Sequence, residues 1–186
     1  MRQTRREGFR EFAEGRAGSL YRSACLLASG DTHLAEDLVQ ETLGRMYLIW
    51  GRASHIDNPA AYAQTVLVRE FLKHKRRRSA GERPFAVPAE SGGTRGTRGE
   101  GGAGGAAQFA VAGGDPVLRL TLLEVLGHLS PKDRAVLVLR FWEDRSVEET
   151  AEAMNVSSAA VRTRSSRALA RLRAELGGSL SVFVAT

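Results

Sequence analysis

The stretch Ser146-Val147-Glu148-Glu149-Thr150-Ala151-Glu152-Ala153-Met154-Asn155-Val156-Ser157-Ser158-Ala159-Ala160-Val161 decides how the rest of the chain is read. Ser146 with Glu149 three residues on is a capping box, in which each residue's side chain satisfies an orphan N–H of the other. It opens a short helix that runs to Met154. Asn155 tolerates left-handed backbone and marks a tight turn through Ser157. Ser157 or Ser158 then opens a second helix reaching to about Leu176. Two helices crossing over such a turn need a small residue at the contact and an apolar anchor on the second helix. Ala151 and Val161 stand at those places, at the spacing of a helix-turn-helix.

The second helix divides by face. Val161, Ser165, Ala168, Leu169 and Leu172 fall on one side, and Arg162, Thr163, Ser166 and Arg167 on the other. In a helix-turn-helix the N-terminal half of the second helix meets base edges in the major groove. Arg suits guanine O6 and N7 as a bidentate donor, and Thr or Ser serves a base edge or a phosphate. Arg164, Arg171 and Arg173 suit phosphate. The competing reading is an ordinary helical hairpin with a solvated Arg face.

Upstream, Ser130-Pro131-Lys132-Asp133 reads as a cap with a first-turn proline, opening a helix to about Trp142, and Val117–Leu129 reads as the helix before it. Residues 79–116 differ in kind. They hold 11 of the 20 glycines and three of the five prolines, too little apolar surface to offset backbone entropy, so a flexible linker is expected there. The residues before the linker read as helices only. Phe9, Phe12, Ala13, Leu20, Ala24 and Leu27 recur at helical spacing, and Ser29-Gly30-Asp31 breaks the pattern. Asp31 or Thr32 caps a second helix to about Trp50. Gly51–Asp57 reads as a loop, and Asn58-Pro59 opens a third helix ending in the basic run Lys73–Arg78. That run suits either the helix dipole or a nucleic acid. On the second helix Asp37, Gln40, Glu41 and Gly44 share one polar face. A solvated face accounts for it, but the helix-weakening Gly44 points to a close-packed partner. The fold class is therefore all-α: two small helical domains, residues 1–78 and 117–176, joined by linker 79–116, with a fraying tail at 177–186.

Composition narrows the function. The 27 Lys and Arg against 21 Asp and Glu give +6 and a pI near 10.2, mildly favouring a polyanionic partner. The charge sits in the two helical parts and not in the linker. Cys25 lies in an apolar pattern and reads as a small buried hydrophobe. His33, His55, His74 and His128 form no ligand spacing, so no metal is expected. No phosphate loop, nucleophile elbow or His–Cys pairing appears, so neither catalysis nor a cofactor is expected. No apolar run reaches the roughly 18 residues of a membrane span, and a cytoplasmic protein without membrane insertion is expected.

The stretch Asp31-Thr32-His33-Leu34-Ala35-Glu36-Asp37-Leu38-Val39-Gln40-Glu41-Thr42 resembles region 2 of bacterial extracytoplasmic-function (ECF) sigma factors of the sigma-70 family. Leu129–Leu137 with the helix-turn-helix resembles their region 4, and Asn58-Pro59-Ala60-Ala61-Tyr62 with Val66-Leu67-Val68 looks like an actinobacterial-type subgroup. The resemblance implies a sigma factor that binds core RNA polymerase and directs promoter-specific initiation. Asp37, Gln40 and Glu41, with Gly44 on the same stripe, match the positions that seat the clamp helices of the largest polymerase subunit. The Gly51–Asp57 loop matches the loop that captures a flipped −10 base, implicating Trp50, Arg52, Ser54, His55 and Asn58. The helix from Pro59 matches the one lying on the −10 strand, through Arg69, Lys73, Arg76 and Arg77. Arg162, Thr163, Ser166 and Arg167 match −35 base contacts, with Arg164 and Arg171 on phosphate. The resemblance also implies contact with the polymerase beta flap and leaves room for an anti-sigma factor. One departure is Arg69-Glu70, where many members have Arg-Asn. The alternatives are a free-standing helix-turn-helix regulator that binds operator without polymerase, and an enzyme built on the N-terminal helices.

Overall fold

The computed structural model describes residues 2–53, 56–81 and 116–184. Every described element is helical. Helix α1 (Arg2–Ala28), α2 (Thr32–Ala53) and α3 (Pro59–Gly81) form the first half. Helix α4 (Pro116–His128), α5 (Pro131–Leu137) with a π turn at Val138–Trp142, α6 (Val147–Met154) and α7 (Ser158–Val184) form the second.

Local chemistry sets most of the boundaries. Helix α1 ends where Ser29 and Gly30 take positive φ, 57° and 84°, and the Gly30 N–H closes onto the Cys25 carbonyl at 3.0 Å. A Cβ at Gly30 would stand 3.4 Å from Leu123, an ordinary contact, so glycine serves there for its backbone. Asp31 is the cap of α2: its carboxylate accepts from the Leu34 N–H at 3.0 Å. Asn58 does the same for α3, accepting from Ala61 N–H at 3.0 Å, with Pro59 in the first turn. Ser130 accepts from Asp133 N–H at 3.2 Å, and the Ser157 hydroxyl accepts from Ala160 N–H at 3.2 Å.

Three boundaries differ from the sequence reading. Helix α2 continues through Ala53, so the helix ends three residues later than Gly51 suggests; Gly51 is tolerated inside a helix at about 1 kcal/mol. Helix α7 continues to Val184, past the predicted end at Leu176 and through the expected fray, because glycines 177 and 178 weaken a long helix without removing an N–H from it. The expected linker is helical at its margins, Ser79–Gly81 finishing α3 and Pro116 opening α4, while its remainder lies outside the described residues.

The first half packs α1, α2 and α3 around Leu20, Ala24, Leu27, Leu38, Met46, Leu67 and Phe71, all nearly or wholly inaccessible. Burying each large apolar side chain contributes roughly 1.5–3 kcal/mol. Cys25 is 3% exposed, and burial pushes its thiol pKa up, as befits an inert packing residue. The second half closes over Val136, Leu139, Ala151, Met154, Val161 and Ala168. The two halves then dock, and their buried residues form one continuous apolar cluster.

Polar side chains fix the docking. Arg134, 5% exposed, donates to the Leu27 carbonyl of α1 at 2.7 Å and to the Gly127 and Leu129 carbonyls at 3.1 and 3.2 Å. Its guanidinium lies 5.9 Å from the centre of the Phe71 ring, and burial pushes its pKa down to about 10. Arg145 donates to Thr65 Oγ1 at 2.9 Å, to Gln64 Oε1 at 3.2 Å and to the Ala61 carbonyl. Glu143 accepts from the Ser23 hydroxyl and from the Gln64 amide, so Gln64 bridges an acid and a base of the opposite half. The π turn brings these two residues into line. Its wider ring is closed by Glu143 N–H donating to the Val138 carbonyl at 3.0 Å, and Arg145 N–H donates to Leu139 at 3.0 Å.

Candidate nucleic-acid and polymerase interfaces

The helix-turn-helix forms as its residue chemistry dictates. Ser146 Oγ accepts from Glu149 N–H at 3.0 Å, and the Glu149 carboxylate accepts from Ser146 N–H at 2.7 Å. The hydrogen bonds from Ser146 hold the Glu149 carboxyl below its ordinary range. Asn155 takes the left-handed conformation, φ 54° and ψ 53°, and Val156 N–H reaches back to the Ala151 carbonyl at 3.0 Å. Ala151, Val161 and Ala168 are buried at the crossing. With those three inward, Arg162, Thr163, Ser166 and Arg167 are all exposed on the outer face of α7.

Not every basic side chain there is equally disposed. Arg162 pairs loosely with Glu148 at 3.2 Å, both well exposed, and such a pair exchanges readily for a nucleic-acid contact. Arg164 is half-buried and bonded to Asp133 at 2.8 Å, which links α7 to the first turn of α5. Arg171 pairs with Glu175 at 2.9 Å, and Glu175 also meets His128 Nδ1 at 2.7 Å. The hydrogen bonds from His128 and then Arg171 hold the Glu175 carboxyl low.

On α2, Asp37, Gln40, Glu41 and Gly44 are all exposed along one face. A Cβ at Gly44 would meet nothing within 4 Å, so no packing inside the chain requires this glycine. The stripe continues into Leu48, 77% exposed, four residues beyond Gly44. Sequence reading missed Leu48 because it scored the face for polarity; helical spacing from Glu41 and Gly44 was the available signal.

The residues expected around the −10 strand separate into groups. Trp50 packs its ring against Phe12 and Phe9, with centroids 4.8 and 5.5 Å apart, so it is part of the α1–α2 seam. Arg52 lies in the last turn of α2, and Ser54 and His55 lie outside the described residues. Asn58 is exposed and caps α3. Arg69 Nε donates to the Ala153 carbonyl at 2.9 Å and its Nη2 to Glu152 at 3.3 Å, both on α6. Lys73 donates to Glu70 at 3.1 Å, and Arg45 reaches the other carboxylate oxygen at 2.8 Å. Burial pushes the Glu70 carboxyl up, but hydrogen bonds from Lys73 and Glu41 and the charges of Arg45 and Lys73 outweigh it and hold it low. Arg76 and Arg77 are exposed. Glu143 and Arg145, central to the docking, had no sequence signature.

Among the described residues no group of His, Cys, Asp and Glu could hold a metal ion. No described helix is long and apolar enough to cross a membrane.

Comparison with known proteins fits this division into two halves. The family model for Sigma-70 region 2 matches residues 16–81, and that for Sigma-70, region 4 matches residues 125–174. The chain is 34% identical over 168 residues to an RNA polymerase sigma-E factor of Streptomyces coelicolor, covering 90% of this chain and 85% of the relative. It is likewise 34% identical to the RNA polymerase sigma-E factor of Streptomyces avermitilis, covering 90% and 84%. Among solved structures it is similar to the sigma factor RpoE of Bartonella quintana, crystallised with the anti-sigma factor NepR. That likeness has a TM-score of 0.68 at 24% identity, over 92% of this chain and 98% of the other, and shows a shared fold. The chain belongs to the sigma-70 family of RNA polymerase sigma factors, in the two-region form of the ECF group.

Proposed function

We propose that the chain binds core RNA polymerase through the α2 stripe and directs initiation by reading a −35 duplex with α7 and a −10 strand with α3. The observation that carries this reading is the outer face of α7. Arg162, Thr163, Ser166 and Arg167 stand exposed over a buried Val161–Ala168 seam and a left-handed Asn155 turn. That is the disposition from which a recognition helix contacts base edges. Arg164 and Arg171 would reach phosphate by exchanging their carboxylate partners. Asp37, Gln40, Glu41 and Gly44, with Leu48 added, form the seat for the clamp helices. The exposed Phe141 and Trp142 at the end of the π turn offer the second half an apolar seat for the beta flap.

On this reading the chain is a regulatory subunit, with no catalysis, metal or cofactor of its own, acting in the cytoplasm. An anti-sigma factor is a further partner. Functional region 2 ends near residue 78, and region 4 occupies 117–176. Arg69 supports the −10 role only when it is released from the α6 carbonyls, so reading both promoter elements requires the two halves to part.

Run-off transcription with core polymerase on a library of promoter fragments tests the reading. Initiation at a shared −35/−10 pair is expected, dependent on this chain. Operator binding undiminished by the absence of core polymerase, with no transcript in its presence, would favour a free-standing regulator instead. In the same assay Asp37→Ala is expected to weaken holoenzyme assembly while leaving α7's duplex binding intact; wild-type affinity for core would remove the α2 stripe from the interface.

A further inference from the structure

Docking of the halves encloses a cleft of about 1060 Å³ between the C-terminal part of α3 and the helix-turn-helix. Arg45 of α2 with Lys73 and Arg76 of α3 lie on one bank. Lys132 of α5 and Arg164 of α7 lie on the other, with the Asn155 turn between. In all, seven Lys and Arg side chains line the cleft against the one carboxylate of Glu70. The excess of six equals the formal charge of the entire chain. Counting Asp133, which is bonded to Arg164, still leaves five.

Within the cleft Arg45 and Lys73 share Glu70, Arg69 donates to α6 carbonyls and Arg164 pairs with Asp133, so two carboxylates answer seven cations. Along the cleft, cations from both halves face a common concave space, where low-dielectric walls focus their potential. Their mutual repulsion opposes docking, and a ligand with several closely spaced negative charges relieves it. Guanidinium and ammonium groups in this number match phosphate oxygens, the first by forked hydrogen bonds and the second as point charges. The volume admits several phosphate groups in a row, well beyond a lone inorganic ion.

We propose that this cleft is a binding site for a phosphate-dense anion that bridges the two halves and holds them docked. Because the docked form engages Arg69 with α6, the ligand opposes use of α3 on DNA, and the two binding events are reciprocally linked. The anion is a soluble oligophosphate, since a single strand is the ligand that α3 takes with the halves parted.

The test uses the full chain with inorganic tripolyphosphate and, separately, a six-residue thymidine strand, each titrated by calorimetry at fixed ionic strength. Lys132→Glu and Arg76→Glu place one charge reversal on each bank, at exposed positions where folding is undisturbed. Each is expected to weaken binding by about tenfold. Dyes on Gly15→Cys and Ala170→Cys, with the buried Cys25 unreactive, are expected to report a larger docked fraction when tripolyphosphate is added. Tripolyphosphate binding with this two-bank dependence assigns the site to a soluble oligophosphate; the same dependence seen only with the strand overturns that assignment. The proposal is overturned if neither probe binds, if Lys132→Glu binds within twofold of wild type, or if ligand leaves the dye distance unchanged. None of these readouts involves polymerase, so they stand apart from the promoter assay.

Discussion

The two helices proposed to face DNA, α3 and α7, are built alike and placed differently. Both are capped by a side chain three residues ahead of the N–H it serves, both bury one apolar face, and both carry a row of arginines. Yet α7 turns its candidate base-reading residues to solvent, whereas α3 lies against the opposite half and engages Arg69 with two of its carbonyls. One proposed reader is open in the docked molecule and the other is held. A pair of recognition elements on one chain thus need not be available together, and the interface between them sets which is.

The sharpest way to break this contrast is at Arg134, which ties the second half to itself and to α1. Arg134→Ala removes three charge-assisted hydrogen bonds to carbonyls that stay buried. It is expected to destabilise the chain by about 3 kcal/mol in urea unfolding. A change below about 1 kcal/mol would mean that the docking contributes little to stability. On the open side, Arg167→Ala is expected to lose about 1–3 kcal/mol on the cognate −35 duplex and to relax preference at one base. Unchanged selectivity in a competition gel-shift would take Arg167 out of the reading set. Ser146→Ala removes the capping box of α6, and a loss of about 1 kcal/mol is expected in thermal unfolding. Arg145→Ala addresses the held side directly: parting the halves is expected to raise affinity for a single-stranded −10 oligonucleotide by about fivefold. Equal affinity of mutant and wild type would show that α3 is as accessible docked as free.

Legibility in the sequence followed the range of the interactions. Asp31, Asn58, Ser130 and the Ser146–Glu149 pair act on neighbours three residues away, so their helix starts could be read from residue type alone. The Asn155 turn and the buried Ala151–Val161 crossing were legible for the same reason. So were the exposed faces of α2 and α7, because helical periodicity fixes a face without knowing its partner. The docking was not. Across the interface Arg69, Arg134 and Arg145 each reach a backbone carbonyl 83 to 107 residues distant, and every residue has a carbonyl, so nothing in that partner's side chain announces the contact. The seam at Trp50 was hidden for the same reason: Phe9 and Phe12, some forty positions earlier, hold its ring.

The π turn at Val138–Trp142 has a consequence for how insertions and deletions act on this chain. A π turn is an α-helix with one residue too many. Excising one residue, Phe141 for example, would let the segment relax to ordinary α pitch, and everything after it would rotate by roughly 100° about the helix axis. Glu143 and Arg145 would then swing away from Ser23, Gln64 and Thr65 while α6 and α7 kept their own internal geometry. The length of that one turn, more than the identity of any side chain on it, sets the phase in which the second half meets the first.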